Sequence, residues 1–218
     1  IFIGTEAALF YGQHMRDIDE SYPYPASTSP YLYSSTKCEA EKLVLRSAAP
    51  DFAALSLRPR FVWGRGDRTI LPEILRAIDQ GAFFWLGGGR AQTSTTHIDN
   101  LSYAIELSLR KGRGGEAYFV TDDETHSFRE MISRYVATQN RSVPDNSLPG
   151  WLGRFLGRAM ERTWRVLPLQ GAPPLPGFAA AVITRDCVIR IDKARRELGY
   201  RPVISVAEGM RDMPRLAA

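Results

Sequence analysis

Short apolar runs separated by amphipathic stretches are the main pattern along this chain. Residues 1–5 and 53–58 are brief, mainly apolar runs, which predict two buried β-strands. The stretch 33–49 between them is rich in strong helix formers and ends before Pro50, so it predicts a helix. The order strand, helix, strand is that of a βαβ unit with parallel strands.

The helix predicted after the first strand has a polar and an apolar side. Lys37 and Glu41 are one turn apart and are predicted to pair on the polar side. Ala40, Leu43 and Val44 begin an apolar stripe. We therefore expect Glu41 to pair with Lys37 and the stripe with Leu43 to face the protein interior.

The same alternation continues through the later half, which predicts an α/β protein ending in a smaller, mixed lobe. Helices are predicted at 71–80, 127–138 and 151–166, and strands at 83–86 and 117–120. A further helix is predicted to begin at a cap at Asp99 or Asn100 and to end near residue 110. Loops are predicted at 17–30 and 168–177, and short helices after a cap at Asp192 and after a capping box at 205–208.

Composition narrows the functional classes. The chain has 218 residues, of which 44% are hydrophobic and 24% charged, and this ordinary globular composition excludes disordered and fibrous proteins. A net charge of +4 is too small to indicate nucleic-acid binding. Cys38 and Cys187 form no disulfide framework, and His14, His97 and His126 share no metal-binding spacing. We expect a cytoplasmic protein without a metal.

A tyrosine and a lysine four residues apart give the sharpest chemical signal. Tyr33 and Lys37 lie on one face of the predicted helix. A nearby ammonium lowers the pKa of a phenol, so this pair can act as a general acid/base between a carbonyl and an alcohol. The spacing alone is common on solvated helix faces. Thr5 and Pro59 end the two predicted parallel strands, so Thr5 and Tyr33 can meet over one carbonyl oxygen at that edge of the sheet.

Segments that cover nearly the whole chain resemble a known superfamily. They are GTEAALFYG (4–12), SPYLYSSTKCEAEKLVL (29–45), LSLRPRFVWGRGD (55–67), STTHIDNLSYAIELSL (94–109), GEAYFVTDDETHSFREM (115–131) and RIDKARRELGYRPVISVAEGM (190–210). In this order they resemble the extended short-chain dehydrogenase/reductases, and most closely the NAD-dependent epimerase/dehydratase and 3β-hydroxysteroid dehydrogenase-like groups. The resemblance is weakest over 140–185.

The resemblance implies a site and a cofactor. The catalytic residues of the superfamily match Thr5, Tyr33 and Lys37, and its cofactor-binding residues match Tyr33, Lys37, Pro59 and Val62. Lys37 would hold the ribose, Pro59 would lie beside the nicotinamide, and the backbone near Val62 would approach its carboxamide. The implied cofactor is NAD or NADP.

A glycine-rich dinucleotide fingerprint is missing from the expected place. Gly112–Ala117 matches G-x-G-x-x-A but follows a helix and precedes a strand, which is the reverse of the required order. Because the chain also starts inside a strand and without Met, we expect it to be the C-terminal part of a longer protein. Residues 1–70 would then be the remaining half of a Rossmann-type dinucleotide-binding domain, and 71–218 mainly a substrate-binding lobe with elements that return to the sheet. We expect this part alone to be inactive.

Three functions remain open. The preferred one is an NAD(P)-dependent oxidoreductase acting on an alcohol or ketone of a hydrophobic, sterol-like molecule. The second is a nucleotide-sugar epimerase or dehydratase, and the third is a non-catalytic dinucleotide sensor or assembly subunit. Two departures count against the nucleotide-sugar function. Sugar-nucleotide members usually carry an Asn shortly after the Arg-Pro strand, where this chain has Arg60 to Val62. Dehydratases carry Asp-Glu after the catalytic Thr, where this chain has Glu6 and Ala7.

The expected partner is a small-molecule substrate. We expect no binding to nucleic acid, and a homodimer is an open alternative. The 151–166 helix is predicted to have a basic side and an apolar side. The basic side carries Arg154, Arg158, Arg162 and Arg165, away from Leu152, Phe155, Leu156 and Ala159. Such a helix could lie on an anionic membrane. The preferred interpretation is a lid whose apolar side covers the substrate pocket.

Overall fold

The computed structural model describes residues 1–167 and 175–215 as a mixture of helices and short strands. The strands are Phe2–Ile3 (β1), Met15–Ile18 (β2), Ser56–Pro59 (β3), Val62–Trp63 (β4), Trp85–Leu86 (β5), Gln92–Ser94 (β6), Thr96–His97 (β7), Ala117–Val120 (β8), Thr125–Ser127 (β9), Ser147–Leu148 (β10) and Cys187–Ile189 (β11). The helices are Leu32–Arg46 (α1), Ile70–Asp79 (α2), Ile98–Lys111 (α3), Phe128–Ala137 (α4), Gly150–Val166 (α5), Gly177–Val182 (α6) and Val206–Arg211 (α7). Short 3₁₀ turns cover Glu6–Leu9 and Gly87–Gly89, and a π-helical turn covers Ala194–Leu198.

The chain forms two compact units. The first comprises 1–67, 94–125 and the described residues from 187 onward, and the second comprises 68–93 and the described residues of 126–186. The functional roles expected for 1–70 and 71–218 stay predictions.

A three-stranded parallel sheet lies at the centre of the first unit. Its order is β1-β3-β8, with Ile3 opposite Leu57 and Leu57 opposite Tyr118. Every residue of β3 and β8 is buried, as expected for parallel strands that are covered on both faces. Because α1 lies between β1 and β3 in the sequence, the predicted βαβ unit and the α/β class are confirmed.

The predicted pair of Glu41 with Lys37 is wrong. Its side chain is fully buried and forms an ion pair with Arg58, whose Nη2 lies 2.8 Å from the Glu41 Oε2 atom. The hydroxyls of Ser56 and Tyr24 also donate to this carboxylate, at 2.6 and 2.7 Å. Leu43, predicted to begin the packed stripe, is instead 66% exposed. Helix α1 thus packs on β3 through a polar contact that the spacing of charges within the helix could not reveal.

Strand β2 overlaps the beginning of the loop predicted at 17–30. It pairs in parallel with β11, with Met15 opposite Cys187 and Ile18 opposite Ile189. Met15 and Ile18 are buried, but the two residues between them are exposed and Asp17 has a positive φ of 50°. The strand therefore lacks the strict apolar–polar alternation by which a strand is recognised.

The buried carboxylate of Asp122 organises the polar core of the first unit. Its donors are Trp63 Nε1 at 2.9 Å, Thr95 Oγ1 at 2.7 Å, the His97 backbone N–H at 2.6 Å and Asn100 Nδ2 at 2.8 Å. An ionised carboxylate accepts strongly from several donors at once. Through these bonds, Asp122 joins the end of β8 to the start of α3.

The helix caps were only partly predictable. Helix α3 is capped by His97, whose Nδ1 accepts a 3.2 Å bond from the Asp99 backbone N–H, so the predicted cap at Asp99 or Asn100 is wrong. Asp192, predicted as a cap, is itself helical together with Lys193, and the π-helical turn follows at Ala194–Leu198. The capping box at 205–208 is confirmed, with bonds in both directions between Ser205 and Glu208.

In the second unit, β5 pairs in parallel with β10, and α5 packs against α6. Gly157 allows the close packing, because a Cβ atom there would lie 3.0 Å from the Gly177 Cα. The predicted apolar side of this helix is only partly buried: Phe155 and Ala159 are exposed, whereas Leu152 and Leu156 are partly buried. On the predicted basic side, Arg158 and Arg162 are exposed. None of the described helices is both long and apolar enough to span a membrane. The loop predicted at 168–177 lies mostly outside the described residues.

Candidate active site

Thr5 lies just beyond β1, where the chain turns from the sheet into a 3₁₀ turn. It is the N-cap of Glu6–Leu9, and its Oγ1 accepts a 3.2 Å bond from the Ala7 backbone N–H. The same hydroxyl donates a 2.7 Å bond to Oε2 of Glu6. Thr5 is therefore held from two directions at the carboxyl end of the parallel sheet, the edge at which α/β proteins bind ligands.

Tyr33 lies in the first turn of α1 and is half-exposed. The segment before it is anchored, since Tyr31 stacks on Phe10 with ring centroids 5.5 Å apart and Ser29 donates to the Phe10 carbonyl at 2.9 Å. The phenol makes a side-chain hydrogen bond with Thr5. The structure thus brings together two residues that are distant in sequence and that were predicted to share one carbonyl oxygen.

Lys37 lies one turn beyond Tyr33 on the same face of α1. Its side chain is half-buried, and its Nζ lies 5.5 Å from the centroid of the Phe2 ring, at the start of β1. This position places a cation beside β1, the strand that leads to Thr5.

A buried ion pair behind Thr5 was missed by the sequence analysis. Arg60 Nη1 lies 2.5 Å from Oε1 of Glu6, and both side chains are almost fully buried. The backbone N–H of Arg60 donates to Thr96 Oγ1 at 3.0 Å. A signal was present, because Glu6 and Arg60 carry opposite charges just beyond two adjacent parallel strands.

Pro59 and Val62 lie on either side of Arg60 in the sequence. Pro59 is the buried last residue of β3 and pairs with Val120, whereas Val62 begins β4 and pairs with Thr96. Arg60, between them, connects the segment to Glu6 and so to the residue beside Thr5. The cofactor-binding roles of Pro59 and Val62 stay predictions.

The Tyr33 phenol is held in its protonated form. Burial raises its pKa, the Glu6 carboxylate raises it further, and the hydrogen bond with Thr5 lowers it only in part. The net direction is upward, which is opposite to the effect expected from the Lys37 ammonium. For Arg60, burial lowers the pKa, but Cys187 and Glu6 together outweigh it, so the guanidinium stays charged.

The sequence matches known proteins over most of its length. The family described as 3-beta hydroxysteroid dehydrogenase/isomerase matches residues 1–148. The chain is 35% identical over 96% of its length to a 4-hydroxy-2-methyl-3-oxo-4-farnesyl-3,4-dihydroquinoline-1-oxide ketoreductase of Stigmatella aurantiaca, of which it covers 63%. It is 33% identical over 82% of its length to a 2-alkyl-3-oxoalkanoate reductase of Stenotrophomonas maltophilia, of which it covers 56%.

A solved structure has the same fold. The UDP-glucuronic acid 4-epimerase of Bacillus cereus, solved in complex with NAD, aligns with 97% of this chain at a TM-score of 0.66 and 18% identity, and the chain covers 58% of it. The chain therefore spans about three fifths of the length of these relatives. Its parallel sheet is the Rossmann-type sheet predicted from the sequence. With the family match extending over residues 1–148, the chain belongs to the 3-beta hydroxysteroid dehydrogenase/isomerase family.

Proposed function

We propose that the complete protein is an NAD(P)-dependent oxidoreductase that interconverts a carbonyl and an alcohol on a hydrophobic small molecule. The observation that carries this proposal is the hydrogen bond between Thr5 and Tyr33 at the carboxyl edge of the parallel sheet, with Lys37 one turn further along α1. Two hydroxyls this close can bind one carbonyl oxygen, which is the geometry that proton transfer to that oxygen needs.

The residues around Tyr33 fit a nicotinamide dinucleotide by their donor chemistry. Among the residues that the structure describes, no hydrogen bond or ion pair engages the Lys37 ammonium, which contacts the Phe2 ring. An ammonium has three donors, so Lys37 can hold ribose hydroxyls. Pro59 and Val62 would lie beside the nicotinamide, as the family resemblance implies. When bound, this cofactor supplies or accepts the hydride.

The proton is moved by this chain's own residues. Reduction of a carbonyl leaves negative charge on its oxygen; the Tyr33 O–H bond breaks, and its proton forms the new O–H bond of the alcohol. Thr5 holds that oxygen beside the phenol. The Lys37 ammonium stabilises the phenolate that remains until a proton returns from water. Oxidation of the alcohol follows the same steps in reverse.

A hydrophobic substrate is supported by two observations. Tyr11 and Tyr22 line a cleft of about 380 Å³, together with Pro23 to Ser27, close in sequence to the 3₁₀ turn that bears Glu6. The two curated relatives are, by their names, reductases of a farnesyl-bearing ketone and of 2-alkyl-3-oxoalkanoates. Burial of an apolar ring or chain contributes roughly 25 cal/mol per Å². The cytoplasmic location and a homodimer remain predictions.

A parallel turnover screen of the complete protein tests the proposal. Hydrophobic β-keto acids, prenylated ketones and sterol-like ketones are supplied with NADH or NADPH, and UDP- and dTDP-sugars are supplied with NAD. We expect the reduced cofactor to be consumed with at least one hydrophobic ketone. We expect no conversion of the UDP- or dTDP-sugars. Turnover of nucleotide sugars alone would favour an epimerase or dehydratase, and cofactor binding without any turnover would favour a sensor or assembly subunit.

A further inference from the structure

Glu6 is a buried carboxylate beside the reacting hydroxyls that the proposed proton transfer does not use. Its Oε2 accepts from Thr5 at 2.7 Å, and its Oε1 is bound by Arg60. Both oxygens are therefore committed to named donors. With Arg60 buried on its far side, the carboxylate stays fixed and does not itself approach a substrate.

The direction of these hydrogen bonds has a chemical consequence. A threonine hydroxyl has one proton, and here that proton is donated to Glu6. Without a substrate, Thr5 therefore has no second proton to donate to the Tyr33 oxygen, and such a donated bond is the contact that lowers the pKa of the phenol. Glu6 thus keeps the proton on Tyr33 until a substrate oxygen accepts from both hydroxyls.

We propose that Glu6 is a positioning residue that orients the Thr5 hydroxyl and keeps Tyr33 as a proton donor, which biases the site toward ketone reduction. This inference rests on the proposed function and deepens it by assigning the favoured direction. Arg60 has the supporting role of holding the Glu6 carboxylate in place.

The charges around Tyr33 support this assignment. Glu6 faces Tyr33 from the 3₁₀ turn, and Lys37 lies on the same helix as Tyr33. Arg60 and Cys187 lie behind Glu6. Further along α1 are Glu41, its partner Arg58 and Tyr24. Of these groups, Glu6 is the one whose charge raises the pKa of Tyr33, after the larger effect of burial. Removal of the Glu6 charge should therefore lower the pH at which the phenol ionises.

The matched control is the second buried carboxylate–arginine pair of the same unit. Glu41 is as deeply buried as Glu6 and is bound by Arg58, but its bonds go to Ser56 and Tyr24 and not to Thr5. Glu6→Gln and Glu41→Gln each leave an arginine buried without a carboxylate. The double variant Glu6→Gln/Arg60→Gln removes both charges, so it avoids the unfolding that one unpaired buried charge can cause.

The deciding experiment is a titration of Tyr33 in the complete protein by ¹³C NMR of labelled tyrosine, with the signal assigned from Tyr33→Phe, alongside pH profiles of reduction and oxidation. We expect Glu6→Gln to move the Tyr33 midpoint to lower pH, and the double variant to move it in the same direction but by less, because loss of the Arg60 charge acts in the opposite sense. The basic limb of ketone reduction should move with it, and alcohol oxidation at neutral pH should gain relative to reduction. Glu41→Gln should lose stability but keep the midpoint.

Two outcomes would overturn the positioning role. An unmoved Tyr33 midpoint in a folded Glu6 variant would do so, as would equal shifts in the Glu6 and Glu41 variants, because either result would make the pair with Arg60 merely structural. Absence of ketone turnover in the unmodified protein would instead contradict the proposed function, and the NMR midpoint would still decide the role of Glu6.

Discussion

Arg58 and Glu41 join strand β3 to helix α1 through an ion pair with a 2.8 Å contact between Nη2 and Oε2, at a site that solvent hardly reaches. Arg58 Nε also contacts both carboxylate oxygens, at 3.0 and 3.1 Å. The strand ends at Pro59, and the helix carries Tyr33 and Lys37. The pair therefore sets the position of the proton-transfer helix against the strand beside which the cofactor is expected.

Glu41→Gln should lower the free energy of unfolding by about 3–5 kcal/mol, because it leaves the Arg58 guanidinium buried without its counter-charge. Chemical denaturation monitored by circular dichroism measures this loss. The control is Glu39→Gln on the same helix, which breaks an exposed pair with Lys42 and should cost less than about 1 kcal/mol. Similar losses in the two variants would contradict the role given to the buried pair.

The residues of the candidate site were easier to predict than the contacts that hold them. Tyr33 and Lys37 are one turn apart on a helix, so local periodicity places them on one face. Glu41 has the same spacing from Lys37, yet its partner Arg58 lies on a strand, and a pattern within the helix cannot show which charges the sheet will bury. Glu6 and Arg60 were missed because they are 54 residues apart, and the charges just beyond the two parallel strands were not compared with each other.

In the fold, too, some elements could be predicted from local sequence and others could not. Strand β8 is an apolar run buried on both faces, so composition alone reveals it. Strand β3 is buried throughout although it includes Ser56 and Arg58, and Ile3 of β1, predicted to be buried, is 39% exposed. Strand β2 was missed because its pairing with β11 joins distant parts of the chain, and the positive φ of Asp17 interrupts its alternation. His97 was overlooked as a cap because capping is usually a task of shorter side chains.

His97 should make stability depend on pH. Burial lowers the pKa of its imidazole, outweighing the nearby carboxylates of Asp99 and Asp122, and its Nδ1 must be unprotonated to cap α3. A folded-state pKa below the unfolded value of about 6.5 means that the unfolded chain binds more protons, so this contribution is present above that pH and is lost as pH falls. Thermal melts of the protein between about pH 8 and 5 should show the loss.

The variant His97→Asn is the control for this pH dependence. Asparagine can cap a helix but does not titrate, so the variant should show a smaller decrease in melting temperature over the same pH range. An unchanged pH dependence in the variant would assign the effect to other groups.

Gly157→Val should destabilise the packing of α5 on α6. A Cβ at this position would lie 3.0 Å from the Gly177 Cα and 3.2 Å from the Ala180 Cβ, so the two helices must separate. Overpacking of this kind typically costs about 1–3 kcal/mol. The control is Ala159→Val, at an exposed position of the same helix, and denaturant unfolding should show a clearly smaller loss there. Equal losses would argue against tight packing at Gly157.

Lys37→Met should weaken both turnover and cofactor binding in the complete protein, because methionine keeps most of the stem but removes the ammonium expected to hold the ribose. Isothermal titration with NADH and NADPH measures the binding loss, which we expect to be at least about tenfold, the effect of roughly 1.4 kcal/mol. Lys42→Met, on a more distant turn of the same helix, should bind the cofactor normally. Normal affinity in the Lys37 variant would remove Lys37 from the cofactor site.

The central claim is that Tyr33 transfers the proton, and Tyr33→Phe tests it most directly. In the complete protein, with the hydrophobic ketone found by the screen, we expect turnover to fall by about 10²–10⁴, because the ring stays and only the proton donor is lost. Cofactor affinity and melting temperature should stay near those of the unmodified protein, and Tyr103→Phe on α3 should leave turnover unchanged. A Tyr33→Phe protein that binds cofactor and reduces the ketone at the unmodified rate would contradict the account.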